Sequence, residues 1–156
     1  MKETKTHIYF WGSIYSQWAQ TPFKDSENSY LTAEQYMMYH KAMLMGDTEA
    51  ADKIIEAKDP KEQKALGRKI INWNQKLWDK EKFSIVYKGN YLKFSNPALK
   101  GYLLATNGTT LVEASLYDKI WGVGLWANDP KIQSRETWEG ENLLGQVLTK
   151  LRDSML

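Results

Sequence analysis

The amino-acid sequence predicts an α+β fold that is rich in helices, with a few short strands, in a single domain across residues 1–156. Helical segments with clear start signals outnumber strand-like segments, and the two kinds do not alternate regularly as they do in doubly wound folds. The length suits one domain, and a hydrophobic fraction of 42% supplies a sizeable core. No repeat and no linker rich in Gly, Ser or Pro divides the chain.

The first expected elements are a short strand and a strongly signalled helix. Residues 7–11 (HIYFW) have strand character, and a loop should follow over about 12–30. Thr32 is the expected N-cap of the helix, and Gln35 stands three residues later as its capping-box partner. Gly46 should end this helix, because glycine readily adopts the left-handed conformation found just after helix ends.

The next helices are signalled by caps and prolines. A second helix is expected after Asp47. The sequence Asp-Pro-Lys-Glu at 59–62 predicts a third, since it supplies a cap, a proline in the first turn and a capping-box glutamate. One or two helices should occupy 73–94, and Asn-Pro at 96–97 should open another that stops near Gly108.

The last third of the chain predicts strands followed by a helix. Residues 110–114 (TLVEA) have the β-branched character of a strand, and 120–126 is a second candidate strand. Residues 141–156 predict a C-terminal amphipathic helix.

The composition excludes several kinds of site. Lys and Arg exceed Asp and Glu by only 21 to 19, too even a balance for a protein that holds nucleic acid mainly by charge. Zero Cys excludes thiolate metal sites and cysteine nucleophiles, and His7 and His40 are too few for a multi-histidine metal site. The longest apolar run, 120–127, is too short to span a bilayer, and residues 1–6 lack the apolar core of a signal peptide. We expect a soluble, cytoplasmic protein with no membrane partner.

The first candidate site lies on the helix expected over 33–45. Its sequence, AEQYMMYHKAMLM, is apolar on nearly every face, and only Glu34 and Lys41 carry a formal charge. Their seven-residue separation places both on one stripe of the helix, about 10 Å apart along its axis. The same stripe contains Met37, Met38 and Met45. Two charges on a buried helix are costly unless paired or functional, so they predict either a catalytic pair or two separate structural roles, with Glu34 serving the helix dipole.

A second candidate site follows the strand expected at 110–114. Glu113 lies on that strand, Asp118 follows five residues later, and Trp121 stands before a Gly-Val-Gly sequence. The glycines would let the backbone approach a ligand beside a stacking ring.

Two further features suit phosphate binding. The sequence WEGENLLG at 138–145 opens the last helix, and helix N-termini attract phosphate; the alternative is that Asn142 or a neighbour only caps the helix. Arg68 offers the planar fork of donors that phosphate accepts, and the alternative is an ordinary surface arginine.

Taken together, these segments resemble the NADAR domain, also called the YbiA-like family. The resemblance is carried by YSQW at 15–18, PF at 22–23, AEQYMM at 33–38, KA at 41–42, LGR at 66–68, Asn90, KF at 93–94, LVEAS at 111–115, Asp118, IWGVGL at 120–125 and WEGENLLG at 138–145. It covers nearly the whole chain in order, and its EAS-xx-D-xx-WG-x-G and W-x-G-x-N-xx-G elements are its most specific part. The sequence departs from the family at 19–21 and at Asn74, where an acidic residue is frequent.

The resemblance implies an N-glycosidase that cuts the bond between a ribose anomeric carbon and a nitrogen. Its implied substrates are the phosphoribosylamino-pyrimidine intermediates of riboflavin synthesis or ADP-ribose attached to guanine in nucleic acid. The implied catalytic residues are Glu34, Lys41, Glu113 and Asp118. The implied substrate-binding residues are Trp121, Arg68, Trp138, Gly140, Asn142 and Trp18, with Arg68 and Asn142 assigned to phosphate or ribose. No metal ion or cofactor is needed.

The residues themselves suit this chemistry. Cleavage of a C–N glycosidic bond develops positive charge at the anomeric carbon and negative charge on the leaving nitrogen, so a carboxylate and a proton donor both lower the barrier. Lys41 either attacks the anomeric carbon as a neutral amine or balances the site carboxylates as a cation. The alternative function is a non-catalytic module that binds ADP-ribose or a related NAD derivative, although carboxylates suit polyphosphate binding poorly.

Overall fold

The computed structural model describes residues 1–156 and confirms a helix-rich α+β fold. The helices are α1 (Ala33–Leu44), α2 (Thr48–Glu56), α3 (Pro60–Gly67), α4 (Gln75–Lys93), α5 (Pro97–Leu104) and α6 (Leu143–Ser154). The strands are β1 (Lys2–Glu3), β2 (His7–Phe10), β3 (Phe23–Lys24), β4 (Ser29–Tyr30) and β5 (Thr110–Glu113), and short 3-10 helices span Pro130–Gln133 and Arg135–Thr137. No helix is both long enough and apolar enough to cross a membrane.

The chain forms two compact units. We call Gln17–Ser95 the central unit, and Met1–Ser16 together with Asn96–Leu156 the terminal unit. The central unit contains β3, β4 and α1 to α4, and the terminal unit contains the remaining elements.

Helix α1 organises the central unit, where it contacts α2, α3, α4 and β4. Seven of its twelve residues are buried, namely Ala33, Glu34, Gln35, Tyr36, Met37, Met38 and Ala42. The expected burial on nearly every face therefore holds for its first half. It fails near the end, because 44% of Met43 is exposed.

The start of α1 is capped nearly as expected. The Thr32 hydroxyl oxygen accepts the backbone N–H of Gln35 at 3.0 Å. The Gln35 side-chain oxygen accepts the N–H of Leu31 at 2.7 Å, one residue before the N–H that a capping box would use. The Gln35 amide nitrogen donates to the carbonyls of Ile54 and Ala57, which ties the start of α1 to the end of α2.

The other helix boundaries follow local signals. Asp47 and Asp59 accept backbone N–H groups in the first turns of α2 and α3, as the sequence predicts. Gly46 follows α1 with φ 74°, which confirms its predicted role in ending that helix. Within 73–94 there is one helix, α4, capped by Asn74.

The predicted loop over 12–30 contains a small hairpin of β3 and β4, with Phe23 opposite Tyr30. Asp25 closes its turn by accepting two backbone N–H groups and the Tyr30 hydroxyl, the last at 2.8 Å. Strands of two residues are too short to show an alternating pattern, so neither this hairpin nor β1 was expected.

A three-stranded sheet in the order β1-β2-β5 lies in the terminal unit. Strand β1 runs antiparallel to β2, whereas β2 and β5 are parallel, with Phe10 opposite Glu113. Helix α6 contacts β5, and α5 contacts α6. The core of this unit includes Tyr9, Val112, Ala114, Val123, Leu125 and Ile132.

The candidate strand at 120–126 is wrong, since no strand forms there. The backbone turns instead, and the N–H of Val123 donates to the carbonyl of Glu113 at 3.0 Å. Val123 and Leu125 are nevertheless fully buried in the core. The apolar run reflects this burial and not a regular extended backbone.

Candidate active site

The Lys41 side chain lies against two indole rings of the central unit. Its Nζ atom is 4.7 Å from the centroid of the Trp73 ring and 5.3 Å from that of Trp78. Lys41 forms no ion pair with a carboxylate. Both rings therefore lie within cation–π distance of the Lys41 ammonium group.

Burial lowers the pKa of Lys41 and is the largest influence on it. The Glu34 carboxylate opposes this by favouring the ammonium, whereas the cations Arg68 and Lys64 lower the pKa further. The effect of burial on the pKa of Lys41 therefore outweighs the effect of Glu34. Lys41 consequently loses its proton more readily than an ordinary lysine.

Glu34 is only 4% exposed in the first turn of α1. Its backbone N–H donates to the carbonyl of Gln17 at 2.9 Å. The Gln17 side-chain oxygen accepts the Asn90 amide at 2.9 Å, and that amide also donates to the carbonyl of Val86. Gln17 and Asn90 are buried, so a loop residue and helix α4 together fix the start of α1 and the backbone of Glu34.

Two cations lie one turn apart at the end of α3. Lys64 is in its last turn, and Arg68 follows as the C-cap. The Lys64 Nζ atom is 5.9 Å from the centroid of the Trp18 ring, and 42% of Trp18 is exposed. Neither cation has a carboxylate partner. We name Lys41, Lys64 and Arg68 the cationic cluster. Like charges four residues apart on a helix repel each other, so an anion bound beside this cluster would stabilise it.

Glu113 ends strand β5 in the terminal unit, and its Oε2 atom is buried. Its backbone N–H donates to the side-chain oxygen of Asn142 at 3.0 Å. The Asn142 amide nitrogen donates to the carbonyl of Leu111, also at 3.0 Å. Both polar atoms of Asn142 are thus bonded to β5, which aligns the strand end that carries Glu113.

Asp118 orders the loop that carries Trp121. One of its carboxylate oxygens accepts the N–H of Ile120 at 3.0 Å and that of Trp121 at 2.8 Å. Asp118 and Trp121 are both half-buried. The carboxylate therefore has a structural role in this turn, whatever its part in catalysis.

The backbone N–H groups at the start of α6 are bonded to carbonyls of the protein. The N–H groups of residues 141–144 donate to the carbonyls of Lys119, Gly122, Ile120 and Trp121. Asn142 is at the N-cap with φ 53°, but its side chain forms no capping bond because β5 engages it. These donors are not available to a phosphate, and the expected capping bond from Asn142 does not form either.

Trp138 and Gly140 have clear packing roles. The Trp138 indole N–H donates to the carbonyl of Ile132 at 2.7 Å, and its ring packs against the core. A Cβ atom on Gly140 would lie 2.3 Å from the carbonyl oxygen of Gly122, so no larger residue fits there. Substrate contacts by Trp138 and Gly140 stay predictions.

The predicted site residues fall into two sets. The central unit contains Trp18, Glu34, Lys41 and Arg68. The terminal unit contains Glu113, Asp118, Trp121, Trp138, Gly140 and Asn142. Within the first set, Glu34, Lys41 and Arg68 interact electrostatically. No group of three or more His, Asp or Glu side chains converges as metal ligands would.

Several residues around Lys41 and Glu34 were missed by sequence reasoning. They are Gln17, Lys64, Trp73, Trp78 and Asn90. Gln17 and Asn90 stood within the family resemblance, so that resemblance was the available signal for them. Trp73 and Trp78 follow Lys41 by more than 30 residues, and no local pattern links them to it.

Comparisons with known proteins agree with this fold. The family model described as NADAR domain matches residues 9–156. N-glycosidase R617 of Acanthamoeba polyphaga mimivirus is 46% identical, and the match covers 97% of each chain. The chloroplastic riboflavin biosynthesis protein PYRR of Arabidopsis thaliana is 38% identical over 69% of this chain and 17% of that protein.

A solved structure supports the same fold, and the name of its protein supports the same class of enzyme. The NMR structure of the Escherichia coli protein YbiA matches with a TM-score of 0.79 at 26% identity, over 99% of this chain and 87% of that one. The Escherichia coli relative is named N-glycosidase YbiA. The class expected from the sequence, the N-glycosyl hydrolases, is confirmed by these relatives. The chain belongs to the NADAR family.

Proposed function

We propose that this protein hydrolyses the bond between a ribose anomeric carbon and a nucleobase nitrogen, with residues 1–156 acting as one cytoplasmic domain. The observation that carries the proposal is the pair on α1: a partly buried amine with a lowered pKa, Lys41, and the buried carboxylate of Glu34. Buried groups with shifted pKa values are typical of catalytic sites. The substrates that fit are phosphoribosylamino-pyrimidine intermediates and ADP-ribose attached to guanine, and the name of the PYRR relative supports the former.

The carboxylates would act on the charges of the transition state. As the C–N bond breaks, positive charge grows at the anomeric carbon and a carboxylate beside the sugar stabilises it. The leaving nitrogen needs a proton, which a carboxylic acid or a water held by one supplies. The candidate carboxylates for these roles are Glu34 in the central unit, and Glu113 and Asp118 in the terminal unit.

Lys41 offers a covalent route. Its neutral amine attacks the anomeric carbon, the C–N bond to the base breaks, and the base leaves with a proton. Loss of the amine proton and ring opening then give a Schiff base between Lys41 and the sugar, and water hydrolyses it to free sugar and amine. In the other route Lys41 stays charged and only balances the carboxylates. The lowered pKa of Lys41 favours the first route, because it increases the neutral fraction near pH 7.

The cationic cluster would bind the phosphate of the substrate. Arg68 supplies a planar fork, and Lys64 supplies a second cation one helical turn away. Trp18 and Trp121 supply rings on which a base or sugar can stack. Asn142 would act through Glu113, since its own amide is fully used by β5.

The second candidate function is a module that binds ADP-ribose without cleaving it. The unpaired cations of the cationic cluster favour anion binding as such. The buried carboxylate of Glu34, on the same helix as Lys41, argues against this alternative, because it would repel a polyphosphate and bring no benefit to simple binding.

Release of free base from each substrate class tests the proposal. The protein is incubated with a phosphoribosylamino-pyrimidine and, separately, with an oligonucleotide that carries ADP-ribosylated guanine, and the products are separated by chromatography. We expect release from at least one substrate, at a rate about 100-fold or more lower with a Glu34→Gln preparation. Tight binding of ADP-ribose with no cleavage of either substrate would overturn the proposal in favour of the binding module.

A further inference from the structure

Two tryptophans at the start of α4 form a corner around the Lys41 amine. Trp73 precedes the N-cap of α4 and Trp78 lies in its first turns. The Trp73 indole N–H donates to the Gln75 side chain at 3.0 Å, and the two ring centroids are 6.3 Å apart with planes at 51°. The rings therefore have fixed positions on the end of a helix, with the Lys41 Nζ atom within 6 Å of both.

We infer that Trp73 and Trp78 are positioning residues for Lys41, which hold its ammonium against their π faces and thereby favour its charged form. The inference rests on the proposed function for its catalytic consequence only. The geometry itself concerns the protein without substrate.

The charged groups around Lys41 have opposing effects on its ammonium form, and the two indole rings act separately from them. Glu34, on the same helix, favours the ammonium, whereas Lys64 and Arg68 at α3 disfavour it. No carboxylate is close enough to pair with Lys41. Burial of Lys41 disfavours its ammonium form. The two indoles at the start of α4 offset this effect, because the negative face of an indole attracts a cation.

A ring also excludes water, and this second effect has the opposite sign. Exclusion of water disfavours the ammonium form of Lys41, so the removal of a ring has two opposing effects on the stability of that form. Substitution by Phe and by Leu separates the two effects, since both side chains are apolar and of similar size but only Phe has a π face. Trp73 is the residue to change, because 42% of it is exposed whereas Trp78 is buried.

The experiment titrates Lys41 directly by NMR in protein whose lysines are 13C-methylated, without substrate. The Lys41 signal is assigned by its absence in Lys41→Arg. We expect Lys41 to release its proton at progressively lower pH from wild type to Trp73→Phe to Trp73→Leu, with proton affinity falling about 2- to 30-fold in Trp73→Leu. Trp11→Leu is the matched control, since Trp11 is also exposed but packs edge-on against Trp126.

An unchanged midpoint in Trp73→Leu, or a shift to higher pH, would show that the ring only covers Lys41 and would overturn the inference. With a substrate that the protein cleaves, the pH dependence of turnover gives a second readout. A purely structural role of the ring would not shift it. A nucleophilic Lys41 shifts the acidic limb of the profile to lower pH in Trp73→Leu, and a purely electrostatic Lys41 shifts the alkaline limb. Because the titration needs no substrate, failure of the proposed function would leave its result intact.

Discussion

The side-chain oxygen of Asn142 accepts the backbone N–H of Glu113 at 3.0 Å, across 29 residues of the chain. This contact joins the start of α6 to the end of β5. The left-handed backbone of Asn142, with φ 53°, is a conformation that asparagine tolerates better than most residues. The position of one candidate catalytic carboxylate therefore depends on a residue far from it in sequence.

Replacing this residue should destabilise the protein. Asn142→Ala leaves buried backbone groups of Glu113 and Leu111 without their partners, so we expect the free energy of unfolding to fall by about 2 to 4 kcal/mol in urea titrations. Asn72→Ala is the control, because Asn72 has φ 59° but is exposed and makes no comparable side-chain bonds. Equal losses in the two variants would mean that backbone strain alone accounts for the effect.

Glu34→Gln should lower turnover by about 100-fold or more while the melting temperature changes little. The amide keeps the size of the side chain but can neither stabilise positive charge nor transfer a proton as a carboxyl group does. Single-turnover base release and a melting curve measure the two effects. Glu49→Gln, on an exposed carboxylate of α2, serves as the control. Rates near those of the wild type would remove Glu34 from the mechanism.

Borohydride added during turnover should link the sugar covalently to Lys41. Reduction of a Schiff base leaves a stable secondary amine, which peptide mass analysis locates. Lys41→Arg keeps the charge but cannot form an imine, so it should abolish both trapping and turnover. If no adduct forms and Lys41→Arg remains active, Lys41 acts only through its charge and cleavage depends on the carboxylates.

Two half-buried tryptophans of the terminal unit should respond differently to truncation. Trp121→Ala should weaken ligand binding by about 1 to 3 kcal/mol, the usual worth of a stacked base, as measured by calorimetry. Trp138→Ala should mainly lower the melting temperature, because its indole N–H bonds Ile132 and its ring packs on the core. Unchanged affinity together with a large fall in melting temperature for Trp121→Ala would make Trp121 a core residue.

Acidification should destabilise the protein partly through His40. Burial lowers the pKa of His40 below its ordinary value of 6.5, although Asp25 opposes this, and Lys88 adds to it. The unfolded chain therefore binds this proton more readily than the folded one, and stability falls as the pH drops through and below 6.5. Urea titrations at pH 7 and pH 5 should show a smaller loss in His40→Gln than in the wild type. His7→Gln removes the other imidazole, and an identical loss in all three proteins would contradict the prediction.

The starts of α1, α2 and α3 could be predicted from the sequence because their causes are local, whereas the predicted end of α5 near Gly108 is wrong, since that helix ends at Leu104. Thr32, Asp47 and Asp59 each bond an N–H three residues later, so the signal and its effect lie in one turn. Two-residue strands leave no such trace. The apolar run at 120–126 was wrongly predicted as a strand because the same residue types favour both strands and buried loops. Hydrogen bonds to carbonyls distant in sequence determine the backbone conformation there.

The candidate site could be predicted only in part, for the same reason. Glu34 and Lys41 were identifiable because both stand out on one apolar helix. Their surroundings depend on tertiary contacts: the indoles of Trp73 and Trp78 reach Lys41 from another helix, and Gln17 holds Glu34 from a loop. The amide of Asn142 shows the limit most clearly, since its bonds to β5 exclude the capping role that its position suggested.

The parallel pairing of β2 with β5 has a consequence for synthesis of the chain. His7 lies opposite Thr110, so β2 is synthesised about 100 residues before its partner strand. At translation rates of about 5 to 20 residues per second, this apolar strand waits roughly 5 to 20 s without a neighbour on that edge. All of the central unit is synthesised during this interval, while the sheet of the terminal unit must wait for the last third of the chain. Slow codons between the two strands would prolong the exposure of Ile8, Tyr9 and Phe10 to other nascent chains.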